Sequence, residues 1–444
     1  MKYHIWTEGC QMNVSDSLRL ASSLEKLGYE PTSKANEADV IVLNTCVVRQ
    51  SAEDKAIGRL SSLRPLKDKN PNLVINLMGC LIGVRGNQKI QNKFPWVDVL
   101  SPPSDPEPLL HYLIEKNAKR TSLDTQTELN ALLDEELTLP KDEQGKLVSA
   151  YIPIVYGCSH ACTYCIIPSK RGIERSRPYD EILTEAQNMV SQGVKEITLL
   201  GQIVDRYGLD LPQKTSLAAL LKDLQEIEGL KRIRFLTSHP NWMTDELLDA
   251  VAQLSKVCEH IEVPIQAGDD AVLRAMRRGY TSQFYRELIS RIRERIPGVS
   301  IATDIIVGFP GETEEQFQQT YDLLADLRMD VAHLARYSPR TGTYSERKME
   351  DNVPDAEKMR RFRLLESLQE EIATQINQKY IGCTVNVLIE ENARGRWRGR
   401  TRTNKLVFVD SREDLLGQEC NVKIEWAGPW SMVGVQAPVS IDAN

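Results

Sequence analysis

Short apolar stretches alternate with longer stretches of helical periodicity along the N-terminal part of the chain. The stretches YHIWTEGC, DVIVLNTC and NLVINLMGC each have the apolar character of a strand, and each ends at a cysteine. Ser15 and Asp16 are placed to cap the helix that follows the first of them. Strands interleaved with helices form a parallel sheet. We therefore expect an N-terminal open parallel α/β domain over residues 1–117.

A polar, acidic and proline-punctuated stretch at residues 118–147 interrupts this alternation and predicts a linker. Beyond it, six predicted strands alternate with helices: YIPIVYGC, KEITLLGQ, KRIRFLTSHP, HIEVPIQAG, VSIATDIIVGFPG and DVAHLARYSP. This repeat predicts a (βα)6 partial TIM barrel over residues 148–376, with its site at the carboxyl ends of the strands. From Gly382 onward the pattern is all-β, and a small antiparallel β-barrel is expected over residues 377–442.

Composition limits the classes of function. The 444-residue chain carries a net charge of −7, so any binding site for a polyanion has to be local. Its first residues lack the basic and apolar regions of a signal peptide, and no apolar stretch approaches the roughly 18 residues of a membrane helix. We expect a cytoplasmic protein with no membrane partner. Nine cysteines, an odd number in so long a chain, indicate metal or redox chemistry in a reducing compartment.

Three of these cysteines each lie where a predicted strand ends, and we call Cys10, Cys46 and Cys80 the strand-end cysteines. The carboxyl ends of parallel strands share one sheet edge, where ligands bind, so these thiols are expected to meet. The alternative is three buried structural thiols, since free cysteine is common in protein cores. Each strand-end cysteine has polar neighbours, which a core thiol does not need.

Three further cysteines, Cys158, Cys162 and Cys165, have the spacing C-x3-C-x2-C in one loop after a predicted strand, and we call them the loop cysteines. Thiolates clustered in this way bind zinc or an iron–sulfur cluster. A structural zinc site needs a fourth ligand, and the nearby His160 lies inside the loop, poorly placed to complete a tetrahedron. A [4Fe-4S] cluster held by three cysteines leaves one iron open for a small molecule. The spacing favours the cluster over zinc and over unliganded thiols.

A basic stretch in the predicted β-barrel indicates RNA binding. Five arginines recur at every second position: Arg394, Arg396, Arg398, Arg400 and Arg402. On a strand they would share one face. Residues 379–412 hold eight basic and three acidic side chains, a local excess of five positive charges in an acidic protein. The alternative is a solvated strand face.

Other residues carry weaker signals. Arg274, Arg277 and Arg278 could face phosphates, although a solvated helix face explains them equally well. The segment GFPGET lacks the Lys-Ser/Thr of a P-loop, so binding of a nucleoside triphosphate is not expected. The remaining cysteines, in apolar or strand contexts, are expected to be structural: Cys258, Cys383 and Cys420.

The motif CxxxCxxC, with Tyr164 before its last cysteine on a (βα)6 scaffold, resembles the radical S-adenosylmethionine enzymes. The blocks GCQMNVSDS, NTCVVRQSAEDK, MGC, PIQAGDDAVLRAMRRGYT and TDIIVGFPGETEEQF resemble the methylthiotransferases of that superfamily, and the last domain resembles the RNA-binding TRAM module. The resemblance implies that the open iron of the loop cluster binds S-adenosylmethionine. Electron transfer then yields a 5′-deoxyadenosyl radical.

The resemblance also implies the remaining cofactor sites. The strand-end cysteines hold a second [4Fe-4S] cluster, whose open iron presents sulfur, and two equivalents of S-adenosylmethionine are used per turnover. Contacts to S-adenosylmethionine are expected from Tyr164 in the cysteine motif and from residues at neighbouring strand ends: Gln202, Gln266, Asp304 and Gly308. Gln202, Gln266 and Asp304 could each instead be a structural polar residue.

Within the family, QMN and NTCVVR favour the type that modifies N6-isopentenyladenosine in tRNA. The expected reaction adds sulfur and a methyl group at C2 of the adenine next to the anticodon, an unactivated C–H bond that requires radical chemistry. The expected partners are the tRNA anticodon stem-loop and proteins that donate electrons and sulfur to a monomeric enzyme. The alternatives are the same chemistry on N6-threonylcarbamoyladenosine or on a ribosomal-protein aspartate, and a non-catalytic zinc- and RNA-binding protein.

Overall fold

The computed structural model describes residues 1–47, 50–86, 88–117, 122–134 and 136–437. Residues 118–121 and 135 of the predicted linker, and residues 438–442 of the predicted last domain, lie outside the described residues. The chain forms two compact units. Unit 1 comprises Met1–Gly145, Tyr151–His160 and Ile166–Gln192, and unit 2 comprises Lys146–Ala150, Ala161–Cys165 and Gly193–Asn444.

The strands are, in chain order, β1 (Lys2–Glu8), β2 (Glu30–Pro31), β3 (Val40–Thr45), β4 (Val74–Gly79), β5 (Val99–Ser101), β6 (Ser149–Pro153), β7 (Val155–Tyr156), β8 (Arg175–Ser176), β9 (Glu196–Leu200), β10 (Arg232–Phe235), β11 (His260–Glu262), β12 (Ser300–Val307), β13 (Val331–Arg336), β14 (Thr384–Ala393), β15 (Arg396–Thr401), β16 (Leu406–Val409), β17 (Glu419–Ala427) and β18 (Met432–Gln436). The α-helices are α1 (Gln11–Lys26), α2 (Gln50–Lys69), α3 (Gln88–Lys93), α4 (Glu107–Asn117), α5 (Ser122–Asp134), α6 (Ile167–Arg171), α7 (Tyr179–Ser191), α8 (Leu217–Leu224), α9 (Asp245–Gln253), α10 (Asp270–Ala275), α11 (Ser282–Arg295), α12 (Glu314–Leu327), α13 (Tyr344–Lys348) and α14 (Asp355–Gln378).

Unit 1 is built on a parallel sheet with the strand order β2-β1-β3-β4-β5. Every residue of β3 and β4 is buried, as is usual for central parallel strands covered on both faces. Val40 and Val42 of β3 pack with Leu20 and Leu24 of α1 in one apolar core. The expected N-terminal open parallel α/β domain is confirmed.

Helix α1 begins earlier than the sequence predicted. Its first residue is Gln11, so Ser15 and Asp16 lie buried inside the helix, and their prediction as caps is wrong. Cys10 occupies the cap position, and its carbonyl accepts from the Asn13 amide at 2.9 Å. The Asn13 side chain in turn accepts from the Cys10 amide at 3.3 Å. Because these bonds satisfy the first turn, the helix starts immediately after the cysteine.

The stretch predicted as a linker contains helix α5. Its Leu129 and Leu132 are buried in the same apolar core as Leu109 and Leu113 of α4. This part of the stretch therefore folds as an element of unit 1.

Unit 2 contains two sheets built from alternating strands and helices. In the first sheet, β9 lies between β10 and β6, and in the second, β12 lies between β11 and β13. Of strand β6, the first two residues, Ser149 and Ala150, belong to this unit. A backbone bridge between Ile233 and Val257 links β10 to the segment that leads into β11. The resulting order β6-β9-β10-β11-β12-β13 is that of the expected (βα)6 partial barrel.

The C-terminal strands close into a five-stranded barrel with the order β14-β15-β16-β18-β17. Its interior contains Val387, Val407, Val422 and Ile424. Four pairings are antiparallel, but β16 and β18 pair in parallel. The barrel is therefore not wholly antiparallel. In the sequence, β17 lies between β16 and β18, but in the barrel β16 and β18 are direct neighbours.

Candidate functional site

Unit 1 brings the strand-end cysteines to one edge of its sheet. Cys10 follows β1 after one glycine, and Cys46 and Cys80 directly follow β3 and β4. The three strands are neighbours and run parallel, so their carboxyl ends share this edge. The Cys10 and Cys46 thiols share a hydrogen bond, and Cys80 interacts electrostatically with Cys10. All three are free cysteines.

Two buried asparagines hold the first of these cysteines. Asn13 accepts from the Cys10 thiol at 3.3 Å through Oδ1, and its Nδ2 donates to Asn44 Oδ1 at 2.8 Å. Asn44 Nδ2 donates back to the Asn13 carbonyl at 2.9 Å. Sequence reasoning did not single out these asparagines, although each lies within three residues of a strand-end cysteine. They link the end of β3 to the start of α1.

The buried Arg171 influences the protonation of these thiols. The pKa of Cys10 is lowered to about 5 by the hydrogen bond with Cys46 and by the Arg171 charge, against the opposing effect of burial. Burial raises the pKa of Cys80, while the same guanidinium acts in the opposite direction. The edge therefore favours at least one thiolate, the form in which cysteine binds metal.

The first loop cysteine belongs to unit 1. The Cys158 amide donates to the Gly172 carbonyl at 3.1 Å, and its thiol accepts from the His160 amide at 3.4 Å. Gly157 has φ +66°, and a Cβ there would collide with the Ile173 carbonyl. Only glycine fits this turn, which leads β7 into the loop.

The other two loop cysteines belong to unit 2, where hydrogen bonds fix the turn between them. Thr163 donates through its amide to the Met276 carbonyl at 3.2 Å and through Oγ1 to the Ala275 carbonyl at 2.8 Å. The Cys165 amide donates to the Cys162 carbonyl at 3.3 Å. The C-terminal end of α10 therefore supports the loop, a role that the sequence did not reveal.

Arg278 contacts a loop cysteine rather than solvent. Its Nη1 donates to Cys162 Sγ at 3.2 Å, its Nε to the Tyr280 hydroxyl at 2.8 Å and its Nη2 to the Pro264 carbonyl at 3.3 Å. The side chain is buried. The suggestion that Arg278 faces phosphates is therefore wrong, because its donors are used inside unit 2.

The residues expected to contact S-adenosylmethionine lie in unit 2, with Tyr164 in the cysteine loop, Asp304 within β12 and the others after strands. Tyr164 packs edge-on against Phe309, with 6.4 Å between ring centroids. Gln266 has φ +80°, and its amide donates to the carbonyl of Asp304 on β12 at 2.8 Å. Gln202 lies in the segment that follows β9. The structure thus joins Gln266 to Asp304 through the backbone.

Gly308 follows β12 in a turn with φ +71°. Its amide donates to Glu312 Oε2 at 2.6 Å, and the same oxygen accepts from Arg361 at 2.8 Å. A Cβ at this position would overlap the Lys358 side chain. The amide of Gly308 is therefore already used within its own loop, and glycine is needed there for the turn and the close packing.

Sequence reasoning missed Glu262, the last residue of β11. Burial, together with the neighbouring charge of Asp304, raises its pKa to about 7. A carboxyl group whose pKa is raised towards neutral pH is a common feature of functional sites.

We expect Glu262→Gln to stabilise the protein above pH 7. The raised pKa of Glu262 means that its stabilising contribution is complete below about pH 4.5 and is lost as pH rises through about 7. Glutamine stays neutral, so the free energy of unfolding at pH 8 should increase by roughly 1–3 kcal/mol. Chemical denaturation at pH 5 and pH 8 measures this, with the exposed Glu425→Gln as the matched control. An equal effect at both pH values would contradict the assignment.

The arginines of the predicted basic face do not share one face. Arg394 lies in the turn between β14 and β15 with φ +57°, and Arg402 lies in the turn after β15. Only Arg396, Arg398 and Arg400 lie within the strand β15, at every second position. The expectation of a five-arginine stripe on one face is wrong because the strand is shorter than the run.

Acidic partners neutralise much of this charge. Arg396 pairs with Asp410 at 2.7 Å, and Arg398 pairs with Glu391 across β14 and β15. More distantly, Arg400 lies 3.8 Å from Glu390.

The end of the arginine run packs against the partial barrel of unit 2. Arg402 forms an ion pair with Glu259 at 2.7 Å and donates to the Val257 carbonyl at 2.6 Å. In return, Arg234 of β10 donates to the Arg402 carbonyl at 2.6 Å. Arg402 is therefore a structural residue of this contact.

Two exposed tryptophans on the small barrel were also missed. Trp426 is 53% exposed and Trp430 is 57% exposed, unusual values for such large apolar side chains. Alternation along β17 would point Trp426 inward, but a bulge between Ile424 and Trp426 turns it outward. Exposed aromatic rings of this kind are suited to stacking on unpaired bases.

The strand-end cysteines are a donor set that fits an iron–sulfur cluster. Within the ranges that the structure describes, no three His, Cys, Asp or Glu side chains are arranged to hold one metal ion. A [4Fe-4S] cluster presents separate iron atoms to separate thiolates, so its ligands need not converge on one point. Three free cysteines at one sheet edge, with the pKa of Cys10 lowered, match this requirement.

Comparison with known proteins agrees with this geometry. Family models match the chain in three places: the uncharacterized protein family UPF0004 at residues 2–101, the radical SAM superfamily at 152–324 and the TRAM domain at 378–434. A tRNA-2-methylthio-N(6)-dimethylallyladenosine synthase from Roseiflexus sp. is 48% identical, over 98% of this chain and 90% of the relative. One from Chloroflexus aurantiacus is 46% identical, over 100% of this chain and 93% of the relative.

The chain belongs to the tRNA-2-methylthio-N(6)-dimethylallyladenosine synthase family. The resemblance to methylthiotransferases is thereby confirmed, and so is the expected fold class. A radical S-adenosylmethionine methyltransferase, TsrM from Kitasatospora setae, has the same overall fold, with a TM-score of 0.54 at 13% identity over 89% of this chain and 80% of that chain.

Membership of this synthase family has consequences for cofactors. The radical SAM domain implies a [4Fe-4S] cluster and S-adenosylmethionine. The chain is therefore an enzyme of the radical SAM class that transfers sulfur-containing groups. Among the helices that the structure describes, none has the length and apolar character needed to cross a membrane.

Proposed function

We propose that this enzyme inserts sulfur and a methyl group at C2 of N6-isopentenyladenosine in tRNA, at the adenosine immediately 3′ of the anticodon. The observation that carries this proposal is similarity over nearly the whole chain to synthases named for this product. The C2–H bond is unactivated, and no protein side chain is basic enough to remove its proton. A loop base can be turned out of its stack, which gives an enzyme access to this atom.

Two [4Fe-4S] clusters serve this reaction in our proposal. The loop cysteines hold one, and the strand-end cysteines hold the other, which supplies sulfur. One-electron chemistry at the substrate carbon is what a cluster and S-adenosylmethionine provide together when both are bound. The chain itself contributes the thiolates, the hydrogen bond from Arg278 to Cys162 and the threonine contacts that hold the loop. Two equivalents of S-adenosylmethionine are used, one for the radical and one for the methyl group.

The proposed binding site for S-adenosylmethionine is formed at the strand ends of the partial barrel. Tyr164, Gln202, Gln266, Asp304 and Gly308 contribute to it. The edge contact of Tyr164 with Phe309 and the backbone link from Gln266 to Asp304 support this placement. Gly308 contributes through the shape of its turn, because its amide is bonded to Glu312.

The domain organisation that we propose follows the sequence pattern. An N-terminal methylthiotransferase domain at residues 1–117 and a linker at 118–147, whose helix α5 packs on unit 1, precede the radical SAM domain at 148–376 and the TRAM domain at 377–442. The three family matches fall within these ranges. The proposal places a monomeric enzyme in the cytoplasm with its tRNA, supplied by separate proteins that donate electrons and sulfur.

The exposed side of the TRAM barrel is the proposed RNA-binding surface. Arg394, Arg396 and Arg398 supply its positive charge, and Trp426 and Trp430 supply aromatic rings for unpaired bases. Arg400 adds charge at the edge of this surface, whereas Arg402 serves the contact with Glu259. Ion pairs with Asp410 and Glu391 would be exchanged for phosphates on binding.

We expect weaker tRNA binding, with a smaller dependence of the affinity on salt concentration, in the triple variant Arg394→Ala, Arg396→Ala, Arg398→Ala. Because each phosphate contact releases counterions, the slope of log affinity against log salt should fall by about two. Fluorescence titrations at several salt concentrations measure this slope. Arg402→Ala is the control, expected to lower stability and leave the slope unchanged. A triple variant with the slope of the unmodified enzyme would exclude this surface.

Analysis of tRNA from a strain that lacks the gene tests the substrate. Unmodified N6-isopentenyladenosine should accumulate, and a plasmid copy of the gene should restore the methylthiolated nucleoside. Normal methylthiolation of isopentenyladenosine in the deletion strain would refute the proposal. If the deletion strain instead lacks methylthiolation only of N6-threonylcarbamoyladenosine or of a ribosomal-protein aspartate, the substrate would be reassigned and the chemistry would stand.

A further inference from the structure

Arg171, at the end of α6, is a buried cation beside the strand-end cysteines. The residue is 7% exposed, and its charge interacts with Cys80, Asp16 and Cys10. A guanidinium is costly to bury unless negative groups or hydrogen bonds compensate it. Its environment is therefore informative about what it binds.

The position of Arg171 is fixed from two directions. Its Nη1 donates to Ser104 Oγ at 3.2 Å, and Ser104 itself has φ +59°, a conformation that is uncommon for serine. On the other side, the carbonyl of Lys170 accepts from the Val84 amide at 3.0 Å in the segment that follows Cys80. These contacts hold the guanidinium against this sheet edge in addition to its hydrogen bond and charge interaction with Cys80.

The guanidinium shares a hydrogen bond with Cys80, yet part of its donor capacity is left over. Nη2 makes no hydrogen bond to any group that the structure describes, although it is buried. Asp16 Oδ2 is the nearby carboxylate, at 3.9 Å, which is an ion-pair separation and too long for a hydrogen bond. A preorganised cation with buried, unused donor capacity beside three thiols is suited to an additional anion.

We propose that Arg171 is an anion-binding residue of the strand-end site, whose Nη2 donates to the sulfur anion that the reaction consumes, supplied as hydrosulfide. This inference rests on the proposed function, in which the strand-end cysteines hold a cluster that presents sulfur. The positive charge offsets repulsion between the incoming anion and the thiolates. Asp16 keeps the guanidinium in place when no anion is present.

The test uses the full-length chain with all three loop cysteines replaced by alanine, so that only the strand-end cluster can form. After anaerobic reconstitution, iron and labile sulfide are measured, and sodium hydrosulfide is titrated while the cluster spectrum is followed. Arg171→Met should retain the cluster and lose at least about tenfold in hydrosulfide affinity, the effect of one charge-assisted hydrogen bond. Arg177→Met is the matched control, since this arginine of the same unit has a side chain only 11% exposed and pairs with Glu185 at 2.7 Å.

The outcomes separate the inference from the proposal beneath it. If the parent chain binds no iron, the assignment of the strand-end cluster fails. If the cluster forms and Arg171→Met binds hydrosulfide like the parent or the control, the role of Arg171 is refuted. If the Arg171→Met variant fails to form the cluster, the Arg171→Lys and Arg171→Gln variants are tested instead. The lysine variant should then bind hydrosulfide several times more tightly than the glutamine variant, and equal affinities would refute the inference.

Discussion

Replacing Cys158, Cys162 and Cys165 together with alanine is expected to abolish the formation of 5′-deoxyadenosine from S-adenosylmethionine. In our proposal the three thiolates are the ligands of the radical-generating cluster, and their loss would remove the binding site of S-adenosylmethionine as well. The product should fall to the level of a protein-free control. Chromatographic quantification of 5′-deoxyadenosine under anaerobic, reducing conditions measures the effect.

The matched control for this variant is Cys383→Ala. Cys383 is exposed, and its thiol donates to the Lys379 carbonyl at 3.5 Å in a segment next to the TRAM barrel. Its replacement should leave cleavage of S-adenosylmethionine unchanged. Residual cleavage by the triple variant above the background would show that the loop is not the source of the radical.

Replacing Cys10, Cys46 and Cys80 with alanine is expected to separate the two halves of the reaction. Cleavage of S-adenosylmethionine should continue, because the loop cysteines remain. Methylthiolated nucleoside should be absent, because the proposed site for sulfur is lost. Iron and labile sulfide per chain should fall to roughly half of the unmodified value, as expected when one of two clusters cannot form.

Circular dichroism and the retained cleavage activity show whether this variant is folded. Cys46 and Cys80 are buried at the edge of the sheet in unit 1 and Cys10 is partly exposed, so some loss of stability is expected from the smaller side chains. Full iron content in the folded variant would contradict the assignment of a second cluster. Methylthiolated product at the normal rate would show that sulfur is held elsewhere.

The placement of the strand-end cysteines was accessible from the sequence. Each lies just after an apolar run, and the rule that parallel strands share their carboxyl edge then places Cys10, Cys46 and Cys80 together. The loop cysteines were accessible through their spacing alone. Both inferences use local patterns of the sequence. The inference about the strand-end cysteines also uses a topological rule that holds for most α/β proteins.

The surroundings of the cysteines could not be predicted in the same way. Arg278 lies 116 positions from Cys162 in the chain, and Arg402 lies 143 positions from its partner Glu259. A run of basic residues looks the same in a sequence whether each member faces solvent or a cysteine thiol within the fold. Long-range packing decides this, and a single sequence does not encode it in any local pattern.

Backbone irregularities account for the other errors. The alternation of Arg394 to Arg402 is regular in the sequence, but turns occupy both ends of the run. Trp426 leaves the inward face because a bulge shifts the register of β17 by one position. Period-two reasoning assumes a continuous strand, and it fails wherever the strand ends or bulges.

The most direct test of the assigned chemistry is a reaction of the anaerobically reconstituted enzyme with tRNA that carries N6-isopentenyladenosine. S-adenosylmethionine, hydrosulfide and a reductant complete the mixture, and the nucleosides are then analysed by mass spectrometry. We expect the 2-methylthio derivative of isopentenyladenosine, together with 5′-deoxyadenosine and S-adenosylhomocysteine. Substrate tRNA recovered unchanged, while the enzyme holds both clusters and cleaves S-adenosylmethionine, would contradict the proposed function.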